Sequence, residues 1–172
     1  MSVISAGLDR NALTAGRAAH AAGPAIVAAY VLSHVVCSTR LLKNIYGIDD
    51  NVCPRGDTAR KGEAAVQRRR ISRAQLALLE RNEGLHANAI EHLPLFIGSV
   101  LLGVFAGLPA SQINRFAAKY LAVRVAFAVA YLGITDLRAS FIRTGLWWTG
   151  NVLCFRTLLA ATRALNASSL RR

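Results

Sequence analysis

Leu93-Pro94-Leu95-Phe96-Ile97-Gly98-Ser99-Val100-Leu101-Leu102-Gly103-Val104-Phe105-Ala106-Gly107-Leu108 runs for sixteen residues without a charge. A bilayer core about 30 Å thick takes roughly 20 helical residues to cross, so this stretch is most of one span. Just before it, Glu80, Arg81, Glu83 and Glu91 make residues 76–91 too polar to face lipid. The two halves read as one helix over 72–108, its first half turned into a bundle or a water-filled cavity. On either side stand three further apolar stretches, at 18–37, 114–135 and 140–164. Pro24 lies near the start of the first, where a missing N–H costs little. Lys119 and Arg124 interrupt the third stretch, and Asn151 and Arg156 the fourth. Backbone groups in lipid must be satisfied within each segment, so the expected fold is all-α. It is an integral membrane four-helix bundle, a single domain over residues 1–172.

The composition points the same way. Of 172 residues, 53% are hydrophobic and 17% charged, and the mean hydropathy is +0.35, too apolar for an ordinary soluble domain. The net charge of +12 would suit nucleic acid on a polar chain, but no interleaving of aromatic and basic residues and no zinc-finger spacing accompanies it. Membrane lipid is the expected anionic partner, and nucleic acid is not. Cys37, Cys53 and Cys154 form no CxxC pair, which leaves neither a zinc knuckle nor a redox motif. Asp9, Arg10 and Arg17 occur without an apolar core ahead of them, unlike a cleavable signal peptide, so the first span is expected to act as its own insertion signal. Between 40 and 73 lie nine Lys or Arg, which by the positive-inside tendency makes the connection at about 40–71 a cytoplasmic loop. With four spans, the 136–143 turn lies on the same side and both termini lie opposite.

Polar residues inside the spans are the candidates for chemistry. Arg81, Gly84, Asn88 and Glu91 are spaced 3, 4 and 3 apart, which places them on one helix face. Tyr120, Arg124, Phe127 and Tyr131, spaced 4, 3 and 4, form a second such face with one cation among aromatic rings. A cation within a span marks a pairing partner or a ligand path, and a structural Arg124–Glu91 ion pair is one open reading. Arg138 and Arg143 stand where the third and fourth spans meet the cytosol, as ligand contacts or as headgroup anchors. This surplus of polar positions exceeds what a single bundle buries, so subunits are expected to associate. His34, in an apolar run, reads as a bonded bundle residue. His86 and His92 are six apart and point to different faces, so no metal site is expected.

The segment Glu80-Arg81-Asn82-Glu83-Gly84-Leu85-His86-Ala87-Asn88-Ala89-Ile90-Glu91, followed by Pro94 and Phe96, resembles the helix-two signature E-R-x-x-R-A-H-x-N-x-x-E…P-x-F of the MAPEG family. These are the membrane-associated proteins in eicosanoid and glutathione metabolism. Arg124 with Val125-Ala126-Phe127-Ala128-Val129-Ala130-Tyr131-Leu132-Gly133, continued by Leu137-Arg138-Ala139 and Ile142-Arg143, is similar to the helix-three signature of its prostaglandin E synthase branch. The resemblance covers roughly residues 20 to 165. It implies a homotrimer in the endoplasmic reticulum or a related membrane, binding glutathione as co-substrate between subunits near the cytoplasmic side.

Carried over by position, Arg40, Asn88, Glu91 and Tyr131 become glutathione contacts. Arg81, His86, Arg124 and Arg138 support them. Arg143 becomes the cation that activates the thiol, with Thr144 and Trp147 beside it. Guanidinium forks suit glutathione's two carboxylates and Glu91 its ammonium, while a nearby Arg lowers a thiol pKa from about 8.5 toward neutrality. The thiolate would then attack a lipophilic substrate arriving from the bilayer. Gly84 stands where the signature has Arg, and Ala87 and Phe127 where the synthase branch has ionisable residues. A mid-helix Gly costs near 1 kcal/mol against Ala, so Gly84 is expected to make room for a neighbouring helix or a bulkier ligand. Two other activities follow from these departures: a glutathione-independent isomerisation or cyclisation in natural-product biosynthesis, or non-catalytic lipid binding as a scaffold.

Overall fold

The computed structural model describes residues 20–169. Helix α1 (Ala22–Val31) carries Pro24 in its first turn and passes into a π-helical turn at Leu32–Val36, where the Cys37 N–H reaches back five residues to the Leu32 carbonyl at 2.9 Å. Two shorter helices follow, α2 (Arg40–Ile45) and α3 (Asp57–Gln67). Helix α4 (Arg73–Phe105) begins at a reciprocal cap. The Ser72 hydroxyl accepts the Gln75 N–H at 3.2 Å and the Gln75 side chain accepts the Ser72 N–H at 2.7 Å. It ends at Gly107, whose φ of +71° suits a residue without a β-carbon. There the Leu108 and Gly107 N–H groups return to the carbonyls of Gly103 and Val104, both at 3.0 Å. After that tight reversal α5 (Ala110–Gly133) runs back along α4, and α6 (Phe141–Ser169) follows it.

Helices α4, α5 and α6 pack against one another, and the α1 segment lies against α4 and α5. The shared core holds Phe96, Val100, Ile113, Phe116, Tyr120 and Cys154, with the Phe96 and Tyr120 rings stacked at 4.2 Å. The outward faces are greasy: Val36, Leu41, Phe105, Val129 and Phe141 are all largely exposed. Among the described residues three of the four expected segments are long and apolar enough to cross a membrane, Ala22–Ile45, Arg73–Phe105 and Ala110–Gly133. Helix α6 is not among them. Its Asn151 and Thr157, which lower its apolar character, are buried against the other helices.

The basic connection at 40–71, expected as a loop, is partly helical. It folds into α2 and α3 and has a small core of its own, in which Ile48, Ala65 and Ile71 pack on Leu76 and Leu79 of α4. At its centre Lys43, almost fully buried, meets Asp57 Oδ1 at 2.5 Å, Glu83 Oε1 at 2.7 Å and the Pro54 carbonyl at 3.1 Å. The Thr58 hydroxyl adds a bond to Glu83 at 2.8 Å. A buried ammonium is tolerable only when paired and hydrogen-bonded, and these bonds clamp α2 and α3 onto the start of α4.

Candidate functional site

The polar face of α4 meets α5 in antiparallel register. Arg81 Nε donates to the Leu132 carbonyl at 3.3 Å. A β-carbon on Gly84 would stand 2.7 Å from the Tyr131 hydroxyl, so the room expected at Gly84 is taken by a neighbouring helix. One turn further on, Arg124 Nη2 donates to the Asn88 side-chain oxygen at 3.1 Å and to its carbonyl at 3.3 Å. The Arg124–Glu91 ion pair left open by the sequence does not form. Glu91 is exposed and takes no part in an ion pair among the described residues, while Arg124 is buried against Asn88.

Along α5 the spacing of 3 and 4 links this pair to α6. The Arg124 guanidinium lies over the Phe127 ring at 4.6 Å, Phe127 meets Tyr131 at 5.4 Å between ring centres, and the Arg143 guanidinium lies over Tyr131 at 4.7 Å. Asn88, Arg124, Phe127, Tyr131 and Arg143 thus form one unbroken run of contacts through three helices. Trp147, one turn beyond Arg143, packs against the cluster that holds Leu85, Ala89 and Phe127 and meets the His92 ring edge-on at 6.2 Å. Arg124 Nη1 is buried and takes no hydrogen bond among the described residues. It borders a narrow cleft lined also by Ser33, Cys37, Ala89 and Tyr120.

Other expected contacts lie elsewhere. The Arg40 side chain bonds to Asn51 and sits 3.8 Å from Asp49, on the basic cap. Arg138, in the α5–α6 turn, and Thr144, in the first turn of α6, are exposed. His86 faces α1: its Nδ1 is 3.0 Å from the Ser33 carbonyl and so carries the proton. That carbonyl is free because the π turn sends the Cys37 N–H to Leu32 instead. Asn82 likewise donates to the Cys37 carbonyl at 3.1 Å, and Ser33 donates to the Ala89 carbonyl at 3.3 Å. His92 turns the other way, its Nδ1 2.9 Å from the Tyr120 hydroxyl.

A sequence profile of the MAPEG family matches residues 18–163. The chain belongs to the MAPEG family. No curated protein and no solved structure matches it. MAPEG membership together with three spanning segments makes it an integral membrane protein. Within that family frame the departures from the signature have separate explanations. Gly84 admits the Tyr131 hydroxyl, Phe127 is the ring between two cations, and Ala87 is exposed. Sequence reasoning missed Asn82, Ser33 and Cys37 as polar partners between α1 and α4, because nothing in the spacing announces a π turn. It placed Asn88 and Arg124 on facing helices without pairing them.

Proposed function

We propose that this MAPEG protein is a membrane-embedded glutathione-dependent transferase, peroxidase or isomerase acting on a lipophilic substrate. In this reading it works as a homotrimer of four-span subunits in an endoplasmic-reticulum-type membrane, with the basic cap in the cytosol, and belongs to the prostaglandin E synthase and microsomal glutathione transferase branch. The observation that carries the reading is the guanidinium of Arg143 held over Tyr131, at the end of the contact run that starts at Asn88. Arg143 makes no ion pair among the described residues, so its charge is available to a ligand.

The donor set suits glutathione. Arg124 Nη1 is a buried donor in need of an acceptor, and the exposed Glu91 carboxylate suits an ammonium. The exposure of Glu91 and Thr144 favours a site completed by a neighbouring subunit. Glutathione would supply the thiol. Tyr131 orients Arg143 through its ring face, and Arg143 favours the ionised form of a nearby thiol. Addition of glutathione to the purified protein is expected to raise ultraviolet thiolate absorbance, and Arg143→Ala to remove that rise while the protein stays folded. No rise at millimolar glutathione would overturn the reading.

A second reading has its own observation. The Tyr131 hydroxyl fills the place where the signature Arg would project, and Arg40 is engaged with Asn51 and Asp49. Both reduce the cationic contacts left for glutathione, which favours a glutathione-independent isomerisation or cyclisation of a lipophilic molecule. Turnover of such a substrate without glutathione would support it.

A further inference from the structure

At the end of the bundle away from the basic cap, α5 and α6 enclose a groove beside Pro109. Arg115 and Lys119 line it from α5, Arg156 and Arg163 from α6, and Phe116 and Leu153 add apolar lining. All four cations are exposed, and none forms an ion pair among the described residues. The sequence explains why. Of the nine acidic residues, none lies between Glu91 and Asp136 and none follows Asp136. Helices α5 and α6 therefore carry no carboxylate at all. Like charges one turn apart on one helix, such as Arg115 and Lys119, repel each other, and a second pair of cations across the groove adds to that repulsion.

Lys119 stands five residues into the apolar stretch at 114–135, about 7 Å along the helix at roughly 1.5 Å per residue. That is about a quarter of the thickness of a hydrocarbon core, below the headgroup plane, where an uncompensated cation is costly. A copy of this chain lying in the same orientation brings the same groove to the same level, and its α5 and α6 bring no carboxylate either. Among the described residues no carboxylate lines the groove, whereas the membrane offers negative charge in its anionic headgroups.

We propose that this groove binds the phosphate headgroup of an anionic phospholipid. Lys119 and Arg156 draw the headgroup below its usual plane, Arg115 and Arg163 close on it from the outer end, and the Phe116–Leu153 floor carries the acyl chains. The site is separate from the Asn88–Arg143 run and does not depend on the enzymatic reading.

The test uses the full-length protein in detergent, with retained lipid read by native mass spectrometry. Phosphatidylglycerol and phosphatidylcholine of matched acyl chains are offered, and glycerol phosphate serves as the headgroup without chains. Phosphatidylglycerol is expected to be retained over phosphatidylcholine. Lys119→Gln with Arg156→Gln is expected to weaken it about thirty-fold, at roughly fivefold for each cation near a headgroup. The charge-keeping pair Lys119→Arg with Arg156→Lys should retain it, and Arg55→Gln with Arg68→Gln, on the basic cap, should leave it unchanged. Equal retention of the two lipids overturns the proposal. So does unchanged binding in the neutralised variant, or glycerol phosphate binding as tightly as the lipid. If the neutralised variant fails to fold, the lipid comparison on the wild-type protein and on the charge-keeping pair still decides.

Discussion

The hydroxyl of Tyr131 stands 2.7 Å from where a β-carbon on residue 84 would be, so Gly84 and Tyr131 occupy complementary halves of one space. Writing the signature Arg back at this position is therefore not expected to build a glutathione cradle. Gly84→Arg is expected to push the Tyr131 ring aside, separate it from Arg143 and lower glutathione turnover at least tenfold, despite the gain in helix propensity of near 1 kcal/mol. Steady-state kinetics with a glutathione titration checks it, and a gain in affinity would refute it.

Tyr131 contributes to Arg143 through its ring face. Tyr131→Phe keeps that face and is expected to preserve most activity, whereas Tyr131→Leu removes it. A cation over an aromatic ring is worth about 0.5 to 2 kcal/mol, so the Leu variant should lose roughly two- to thirty-fold in kcat/KM. Parallel kinetics on the two variants separates the ring from the hydroxyl.

Asn88 is the side-chain partner of a nearly fully buried guanidinium. Asn88→Leu leaves Arg124 with only the 3.3 Å bond to the Asn88 backbone carbonyl. A buried polar group stripped of a partner costs about 1 to 3 kcal/mol, so the variant should melt several degrees lower in detergent. Asn88→Asp, which supplies a carboxylate instead, is expected to melt no lower than the wild type.

Three of the four expected spans were legible because apolar stretches of spanning length leave a clear mark, and the 3-and-4 spacing located the α4 face that meets α5. What spacing withholds is register. Arg124 could reach either Asn88 or Glu91 until the antiparallel alignment of α4 and α5 was known, and it takes Asn88. His86, given to glutathione by the resemblance, is turned to α1 by a carbonyl that only a π turn sets free. The basic cap was hidden by its own charge. With nine cations between 40 and 73, Lys43 looked like the others, and its burial depends on Asp57 and Glu83 arriving from two other helices.

Asp57 makes the cap sensitive to acid. Burial alone would raise its carboxyl pKa, but the Lys43 hydrogen bond and charge, with the N–H groups of Asp50 and Thr58, outweigh burial and hold it below the usual carboxylate range. An unfolded Asp titrates near 3.9, so this stabilisation is complete above about pH 5 and drains away as pH falls through the lower folded value. Thermal melts from pH 7 to pH 3 should show the loss. Asp57→Asn should remove that acid dependence and cost about 3 kcal/mol at pH 7, the low end for breaking a buried pair because Glu83 still holds Lys43.

Cys53 is exposed on the cap, while Cys37 and Cys154 are buried and all three are free. In sealed vesicles a membrane-impermeant maleimide is expected to label Cys53 alone, and only from the cytosolic side. Labelling from the opposite side would reverse the proposed orientation.

The widened turn at Leu32–Val36 has a consequence for cohesion. Within a bilayer, oily surroundings reward a helix equally for touching lipid or protein, so greasiness cannot hold the first helix in place. The backbone oxygens of Ser33 and Cys37, claimed by His86 and Asn82, hold it there instead. The first helix is thus moored to its neighbour by directional bonds that no lipid tail can imitate.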